Sequence, residues 1–322
     1  MNTLIDCNFL PVFYAYHHCK KTAKPLPDYD NYSNVEEIWM NFYGLGKFET
    51  YQFVYQHCSG IDHFREWLIQ LKGEKKIRES AAAFSRWQQQ QAGSVTTNAP
   101  NRILSTEQLN SWKRDGYLRI SDLIEEDLCD AVVALICSHM HIDLSRPATW
   151  YTQHPDWHGL MVLLYQGEST ESIRSHPKLK QLFAELYDTP HIIAKTEKVS
   201  FNPPETSTWK FAHSELHWDI DLKKDNLYYI QGLVYLNDVP ENRGPLKLVP
   251  GFHSKFEKFI AGYPDLHSAT QAMLRSVSAI PVPGKKGDVV LWLQTLPHAA
   301  SVNRSDMPRF VQYVSFSKLE IG

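Results

Sequence analysis

The stretch Leu216-His217-Trp218-Asp219 carries the pattern on which the fold assignment depends. Along a β-strand, residues i and i+2 point to the same side, so His217 and Asp219 would present an imidazole and a carboxylate together. Two histidines and one carboxylate on one face form the triad that holds non-haem Fe(II) and leaves its other positions open. The stretch therefore predicts two ligands of a metal centre, with a distant histidine as the third.

The spacing alone is a weak signal, because histidine is common in this chain. With 15 histidines and 36 acidic residues in 322, about 1.7 His-x-acid pairs arise by chance. The pairs that occur are His141/Asp143, His154/Asp156, His213/Glu215 and His217/Asp219. The first pair ends a helix that is predicted over residues 123–140, where positions i and i+2 diverge, and Pro155 makes the second pair a turn. The last two pairs precede a strand-rich segment and stay candidates, with Asp221 as a rival carboxylate.

The composition is that of an ordinary globular protein, with 43% hydrophobic and 21% charged residues. The length fits two domains, or one large β-rich domain with additions. A net charge of −3 argues against a dedicated nucleic-acid binder, which needs a basic face. The 5 cysteines are widely spaced, and no apolar run approaches the roughly 18 residues of a membrane span. We therefore expect a cytoplasmic protein without nucleic-acid or membrane partners.

Residues 1–95 are predicted to form an N-terminal helical region of unknown role. Residues 1–30 contain scattered prolines and are expected to be irregular. Ser33 and Glu36 have the spacing of a capping box, which opens the first predicted helix. The predicted helices span residues 35–43, 62–71 and 74–91. Residues 92–100 are rich in Gly, Ser, Thr and Asn and are interpreted as a linker.

Residues 96–322 are predicted to form a second domain that is rich in β-strands. Ser105 and Gln108 have a second capping-box pattern, at the start of a helix that ends near Gly116. The predicted strands span residues 117–120, 192–201, 227–236, 247–249, 276–282, 288–292 and 309–316. Because few helices alternate with these strands, the pattern favours an antiparallel sandwich or jelly roll over a parallel sheet.

Four segments of this second domain resemble the phytanoyl-CoA dioxygenase (PhyH) family of Fe(II)/2-oxoglutarate-dependent oxygenases. The segments are Leu216-His217-Trp218-Asp219; Gly244-Pro245-Leu246 with Pro250-Gly251-Phe252-His253; Gly287-Asp288-Val289-Val290-Leu291-Trp292 with Leu296-Pro297-His298 and Asn303-Arg304-Ser305; and Arg309. Each motif alone is common, but their order within residues 105–318 is specific. The resemblance implies a mainly β fold with α additions, in which a double-stranded β-helix of the jelly-roll, cupin-like type is flanked by helices.

The resemblance also implies the roles of individual residues. His217, Asp219 and His298 would bind Fe(II) and form the catalytic centre, and Arg309 would grip the remote carboxylate of 2-oxoglutarate through its planar fork. The implied enzyme is a dioxygenase that hydroxylates a C–H bond with O2 and releases succinate and CO2. Asp219 supplies the carboxylate that halogenases of this type lack, which argues against halogenation. Desaturation, epimerisation and ring closure need the same triad and stay open.

One position departs from the family pattern. Two residues after the distal histidine the family often has a serine that helps to hold the co-substrate, whereas this sequence has Ala300 followed by Ser301. On a strand, that shift turns the hydroxyl to the other face. The candidates for a replacement polar group are Tyr235, Gln231 and Thr208, and Asn303 is a further candidate beside the co-substrate or else a turn residue.

Trp157, His158 and Trp218 are candidates for substrate contact. We expect a small-molecule substrate, such as an amino acid or secondary metabolite, either free or held by a carrier protein. The helices of residues 1–95 are a candidate surface for such a carrier or for a homodimer. The alternative is a non-catalytic or partner-binding protein on the same scaffold.

Overall fold

The computed structural model describes residues 7–90, 102–212, 215–220, 222 and 227–320. The chain divides into two units. Unit 1 contains Met1–Asn101, Tyr187–Thr196 and Phe316–Gly322, and unit 2 contains Arg102–Leu186 and Glu197–Ser315. Unit 1 thus includes two segments that the sequence analysis assigned to the second domain. The predicted linker over residues 92–100 lies outside the described residues.

Unit 1 begins with a series of helices. They are α1 (Leu10–Lys21), α2 (Tyr32–Tyr43), α3 (Lys47–Gln52), a π-helical turn (Phe53–His57), α4 (Ile61–Lys72) and α5 (Glu74–Gln90). The prediction that residues 1–30 are irregular is wrong over helix α1. Pro11 lies in its first turn, where a backbone N–H would have no helical partner, so the proline is compatible with the helix. The predicted capping box is also wrong, because α2 begins one residue before Ser33.

The core of unit 1 is aromatic. Trp39 is fully buried, and its ring centroid lies 5.1 Å from that of Phe13 and 4.9 Å from that of Tyr43. The C-terminal segment joins this core, because Leu319 packs against it and accepts a hydrogen bond of 2.7 Å from Trp87 Nε1 at its backbone oxygen. Residues distant in sequence therefore share one hydrophobic core with the N-terminal helices.

The remaining elements alternate short helices with strands. They are α6 (Thr106–Asp115), β1 (Tyr117–Ile120), α7 (Glu126–Met140), a 3-10 turn (Pro147–Tyr151), β2 (Trp157–His158), β3 (Met161–Val162), α8 (Glu168–Arg174), α9 (Pro177–Tyr187), β4 (Ile192–Ala194), β5 (Val199–Asn202), β6 (Ile230–Tyr235), β7 (Leu246–Leu248), a 3-10 turn (Phe252–Lys255), α10 (Phe256–Ile260), α11 (Leu266–Ser276), β8 (Ile280–Val282), β9 (Val289–Leu293), β10 (His298–Ala300) and β11 (Arg309–Lys318). The capping box at α6 is confirmed, since Ser105 Oγ accepts from the Gln108 N–H and the Gln108 side chain accepts from the Ser105 N–H.

One predicted strand is wrong in its first part, where helix α11 lies instead. Residues 276–282 were expected to be extended throughout, but the helix runs to Ser276 and the strand begins only at Ile280. The buried residues Ala269 and Met273 lie four positions apart, which is the spacing of one helical face. This face packs into the core of unit 2, and that burial stabilises the helix.

Two sheets enclose the core of unit 2. The larger sheet has the order β1-β9-β6-β11-β5-β3-β2, and the smaller one has the order β10-β7-β8. The strands pair antiparallel, with β6 between β9 and β11. Leu233 of the larger sheet and Leu248 of the smaller sheet belong to the same buried cluster, so side chains from both sheets fill the space between them. The predicted double-stranded β-helix is confirmed. The last residues of β11 pair with β4 in unit 1.

The helices of the described residues are also informative about membrane association. None of them combines the length and the apolar character that crossing a bilayer requires.

Candidate active site

His217 and His298 are brought together by the backbone. The N–H of each residue donates a hydrogen bond to the carbonyl oxygen of the other, at N···O distances of 3.0 and 3.1 Å. This isolated antiparallel bridge fixes the two imidazoles side by side, with ring centroids 4.8 Å apart. Asp219 follows His217 by two residues, so its side chain returns to the same side.

The three side chains can reach one ion. One ligand atom from each of His217, Asp219 and His298 lies within 4.8 Å of the others. Asp219 Oδ1 lies 3.8 Å from His217 Nε2, and Asp219 Oδ2 lies 3.4 Å from His298 Nε2. His298 is buried, whereas about half of each of the other two side chains is exposed, so the trio is open on one side. The donor set of two imidazoles and one carboxylate suits Fe(II).

Both imidazoles are held in the same tautomer. His217 Nδ1 lies 3.1 Å from the Glu215 carbonyl oxygen, and His298 Nδ1 lies 3.0 Å from the Leu296 carbonyl oxygen. A carbonyl only accepts, so each Nδ1 carries the proton and donates it. Each Nε2 therefore presents a lone pair, which is the state that a metal ligand needs.

Asp219 is held in its ionised state. Without a metal, a hydrogen bond from a proton on His298 Nε2 lowers the pKa of Asp219 below its ordinary range, and a hydrogen bond from Gln231 acts in the same direction against the opposing effect of burial. A bound metal would take the place of that Nε2 proton. Gln231 Nε2 donates to Asp219 Oδ2 at 2.9 Å. Gln231, predicted from the sequence as a co-substrate contact, thus orients a metal-ligand candidate.

Arg309 is the second charged component of the site. Its side chain is 1% exposed, and it donates to the Gly244 carbonyl oxygen at 2.8 Å and to Ser200 Oγ at 3.1 Å. Among the described residues no carboxylate pairs with it, and its Nε has no hydrogen-bond partner. A buried cation without a counter-ion is costly, so the position fits a negatively charged ligand such as a carboxylate.

Glycine is needed at position 244, where the backbone carbonyl contacts Arg309. Its φ is +68°, and a Cβ atom at this position would lie 2.6 Å from Asn202 Nδ2. Only glycine adopts this backbone conformation without strain and leaves room for the neighbouring chain. The carbonyl group of Gly244 is thereby positioned to accept the hydrogen bond from the guanidinium.

One cavity of about 1070 Å³ connects these residues. Its lining includes His217, Asp219, Gln231, His298, Ala300 and Arg309, together with Trp157, His158, Glu197, Lys198, Glu215, Tyr229, Trp292 and Tyr313. Four lining residues have buried polar atoms without a partner among the described residues, namely Trp157 Nε1, Gln231 Oε1, Trp292 Nε1 and Arg309 Nε. Such atoms are costly unless a ligand satisfies them, so the residues present fit Fe(II) together with a polar, anionic co-substrate.

The other predicted site residues divide into two groups. Trp157 and His158 line the cavity. Trp218 does not, because it alternates with the two flanking ligand candidates and points into the core. Its Nε1 donates to the Thr295 carbonyl oxygen at 3.1 Å, and its ring packs against Phe252.

Tyr235 and Asn303 also lie outside the cavity lining. The Tyr235 hydroxyl is buried, donates to the Val282 carbonyl oxygen at 2.7 Å and accepts from the Leu246 N–H. Asn303 Nδ2 donates to the carbonyl oxygens of Asn202 and Met307. Both side chains stabilise the backbone around the cavity.

The remaining polar candidates have other partners or are not described. Thr208 lies in a turn with Thr206, with 3.2 Å between the two hydroxyl oxygens. Ser301 donates its backbone N–H to Pro245. His213 and Asp221 lie outside the described residues.

Trp292 was missed by the sequence analysis. It is 2% exposed, and its ring centroid lies 5.3 Å from that of His298. No sequence pattern indicates this position, because it follows from the register of β9 and β6, in which Trp292 opposes Gln231 and opposed residues share one face of a sheet.

Comparison with known proteins points to one family. The sequence model of the family described as phytanoyl-CoA dioxygenase (PhyH) matches residues 112–311. A curated protein from Dictyostelium discoideum, named "Putative phytanoyl-CoA dioxygenase", is 22% identical over 255 residues, which are 63% of this chain and 72% of that protein.

Solved structures with the same fold include two enzymes of nogalamycin biosynthesis. The non-haem alpha-ketoglutarate-dependent carbocyclase SnoK is 19% identical, with a TM-score of 0.51 over 66% of this chain and 84% of its own. The epimerase SnoN, solved with Fe3+, alpha-ketoglutarate and nogalamycin RO, is 17% identical, with a TM-score of 0.51 over 66% of this chain and 82% of its own.

Proposed function

The chain belongs to the phytanoyl-CoA dioxygenase (PhyH) family, and from this premise we propose that it hydroxylates a C–H bond of a small molecule while 2-oxoglutarate and O2 are converted into succinate and CO2. Family membership makes it a 2-oxoglutarate-dependent non-haem iron oxygenase. The observation that carries the proposal is a single cavity lined by His217, Asp219, His298 and the buried guanidinium of Arg309, which has no carboxylate partner among the described residues.

Different residues of the site would hold the metal and the co-substrate. His217, Asp219 and His298 would hold Fe(II), and Arg309 would pair with the remote carboxylate of 2-oxoglutarate through its fork. When bound, Fe(II) and 2-oxoglutarate supply the oxidising chemistry by which O2 attacks the substrate. The role of the protein is to position these groups and to keep water away from them.

Several residues of the chain serve that positioning. Gln231 fixes the orientation of Asp219 through its amide N–H, which leaves Gln231 Oε1 free for a ligand. Trp292 covers the ring of His298 from within the core. We propose that Tyr235 and Asn303, which the sequence analysis placed beside the co-substrate, act as positioning residues of the surrounding backbone.

The cavity favours a small amphipathic substrate. Its volume of about 1070 Å³ is at the upper end of ligand pockets, which span about 300–1,000 Å³, so it has room for a substrate beside the co-substrate. Trp157, Tyr229 and Tyr313 supply aromatic surface, and Glu197 and Lys198 supply charge. An amino acid or a secondary metabolite fits this lining, and Trp157 and His158 are the proposed substrate contacts.

Binding of co-substrate gives the first test. Anaerobic protein with Fe(II) should develop a weak visible absorption band on addition of 2-oxoglutarate, and His217→Ala should abolish the band. His176→Ala is the matched control, because this histidine pairs with Glu125 and does not line the cavity. A full band in His217→Ala would overturn the assignment of the metal ligands.

Turnover gives the second test. Succinate release is measured across a panel of metabolites in air. The proposal predicts that at least one compound stimulates release several-fold over uncoupled turnover and gains one oxygen atom, detected by mass spectrometry. A desaturated, epimerised or cyclised product would replace hydroxylation by another reaction of the same triad, and full co-substrate binding without turnover on any compound would favour the alternative of a binding protein.

Partners and location stay predictions from the sequence. Carrier-protein docking and homodimer formation through the N-terminal helices are tested by gel filtration of the full chain alone and with candidate carrier proteins. The cytoplasmic location is tested by cell fractionation.

A further inference from the structure

A second group of metal-ligating side chains lies apart from the triad in sequence. His139, His154 and Asp156 offer one ligand atom each within 4.8 Å of one another. None of the three lines the cavity of the candidate active site. The sequence analysis set His154 and Asp156 aside as a turn, and the fold brings His139 of helix α7 to them.

We propose that His139, His154 and Asp156 form a second metal site that takes Zn²⁺. Two atoms bound to one tetrahedral zinc ion, at bonds of about 2.0–2.2 Å, lie about 3.3–3.6 Å apart. Asp156 Oδ2 lies 2.9 Å from His139 Nε2 and 4.0 Å from His154 Nδ1, so both distances lie within about 0.7 Å of this spacing. The ligand atoms of the two histidines lie within 4.8 Å of each other, so the imidazoles would move closer together on metal binding.

The protonation state of His154 supports metal binding. Its Nδ1 accepts a hydrogen bond of 3.2 Å from the backbone N–H of Asp156. A backbone N–H only donates, so Nδ1 carries no proton, and zinc would replace this N–H as the partner of its lone pair. A neutral imidazole with such a lone pair is the form that coordinates zinc.

The surroundings favour a cation at this place. Asp156 lies beside His139 and His154, and within the described ranges no lysine or arginine neutralises it. His139 lies in the last turn of α7, whose free carbonyl groups carry partial negative charge. His141 lies close by, with its ring centroid 6.1 Å from that of His154.

The site would organise a segment that contributes to the cavity. Asp156 immediately precedes Trp157 and His158 of β2, and both line the cavity. The Trp157 N–H donates to the His154 carbonyl oxygen, and the Leu163 N–H donates to the Asp156 carbonyl oxygen. A metal ion would add a link from α7 to this hairpin, so its role is structural.

Zinc binding is measured on the full chain with the triad disabled, so that the test does not depend on the proposed function. The background variant carries His217→Ala and His298→Ala. Calorimetric titration with Zn²⁺ should show one site, and Co²⁺ should give the visible absorption of a low-coordinate site. A background variant that binds neither ion would overturn the proposal.

Substitutions then locate the site. Asp156→Asn keeps the size of the side chain and an oxygen that accepts from His139, but it removes the anionic ligand. The proposal predicts at least ten-fold weaker Zn²⁺ binding in Asp156→Asn and in His139→Gln, and unchanged binding in the control His176→Ala. Unchanged Zn²⁺ binding in both Asp156→Asn and His139→Gln would show that this cluster is only a hydrogen-bonded pair with a neighbouring histidine.

Discussion

Replacing Arg309 by lysine tests how the cavity recognises 2-oxoglutarate. Lysine keeps the positive charge but loses the planar fork that forms two parallel hydrogen bonds with a carboxylate. A hydrogen bond to a charged group contributes about 1.5–3 kcal/mol, and about 1.4 kcal/mol corresponds to a factor of ten in affinity. Losing one of the two bonds should therefore weaken 2-oxoglutarate binding about 10- to 150-fold.

The assay is an anaerobic titration of the Fe(II) protein with 2-oxoglutarate, followed by thermal unfolding. At a concentration of about 100 times the wild-type Kd, the ligand stabilises the wild type by about 2.7 kcal/mol. A variant with 100-fold weaker binding gains only about 0.4 kcal/mol at the same concentration. The ligand-induced rise in Tm should therefore nearly vanish in Arg309→Lys.

Arg174→Lys is the matched control. Arg174 is also a buried arginine, 4% exposed, but it pairs with Glu171 and does not line the cavity. Its substitution should lower the stability of the protein and leave 2-oxoglutarate affinity unchanged. Equal affinities in wild type and Arg309→Lys would refute the reasoning, because they would mean that the fork does not contact the co-substrate.

Three further predictions follow from contacts near the cavity and from the division into units. Gln231→Leu removes the hydrogen bond to Asp219 and should weaken Fe(II) binding about 10- to 100-fold, measured by equilibrium titration; unchanged affinity would contradict this role. Burial raises the pKa of Tyr235 to about 12, so its contribution to stability is present below pH 10 and is lost as the pH rises to about 12. Tyr235→Phe should lack that alkaline loss but be about 1–3 kcal/mol less stable at pH 8, because a backbone N–H loses its acceptor. Denaturant unfolding at pH 8 and at about pH 12 checks whether the free energy of unfolding falls with pH in the wild type and not in the variant. Deleting residues 1–95 should leave Fe(II) binding, whose ligands all lie in unit 2, but increase aggregation seen by light scattering, because β4 and the end of β11 lose the helices of unit 1; a monodisperse truncated protein would show that these helices are dispensable.

The β scaffold was predictable because its signals are local. Strands such as β6 and β9 are short apolar runs bounded by turn residues, and the His-x-Asp spacing needs only the two-residue period of a strand. The capping box at α6 lies within four residues and was recognised for the same reason. The N-terminal helix α1 was not, because Pro11 was interpreted by residue type and not by its place in the first turn.

The parts of the fold and of the site that the sequence did not predict depend on contacts between residues that are distant in sequence. The partner of Asp219 on strand β6 follows from the sheet order, which no local pattern contains. The group formed by His139, His154 and Asp156 joins a helix to a loop, and only one pair of it shares the spacing that the sequence analysis examined. The C-terminal segment joins unit 1 through Trp87 and Leu319, which no motif in either segment indicates.

The backbone bridge between His217 and His298 has a consequence for metal selection. Two of the ligands are already fixed before an ion arrives, so little conformational entropy is lost when it binds. Such a rigid site binds any ion that accepts nitrogen and oxygen ligands, and affinities among divalent ions rise from Fe²⁺ to Cu²⁺. Affinity alone therefore does not select iron, and the ion found in the purified protein will reflect which metals are available during expression.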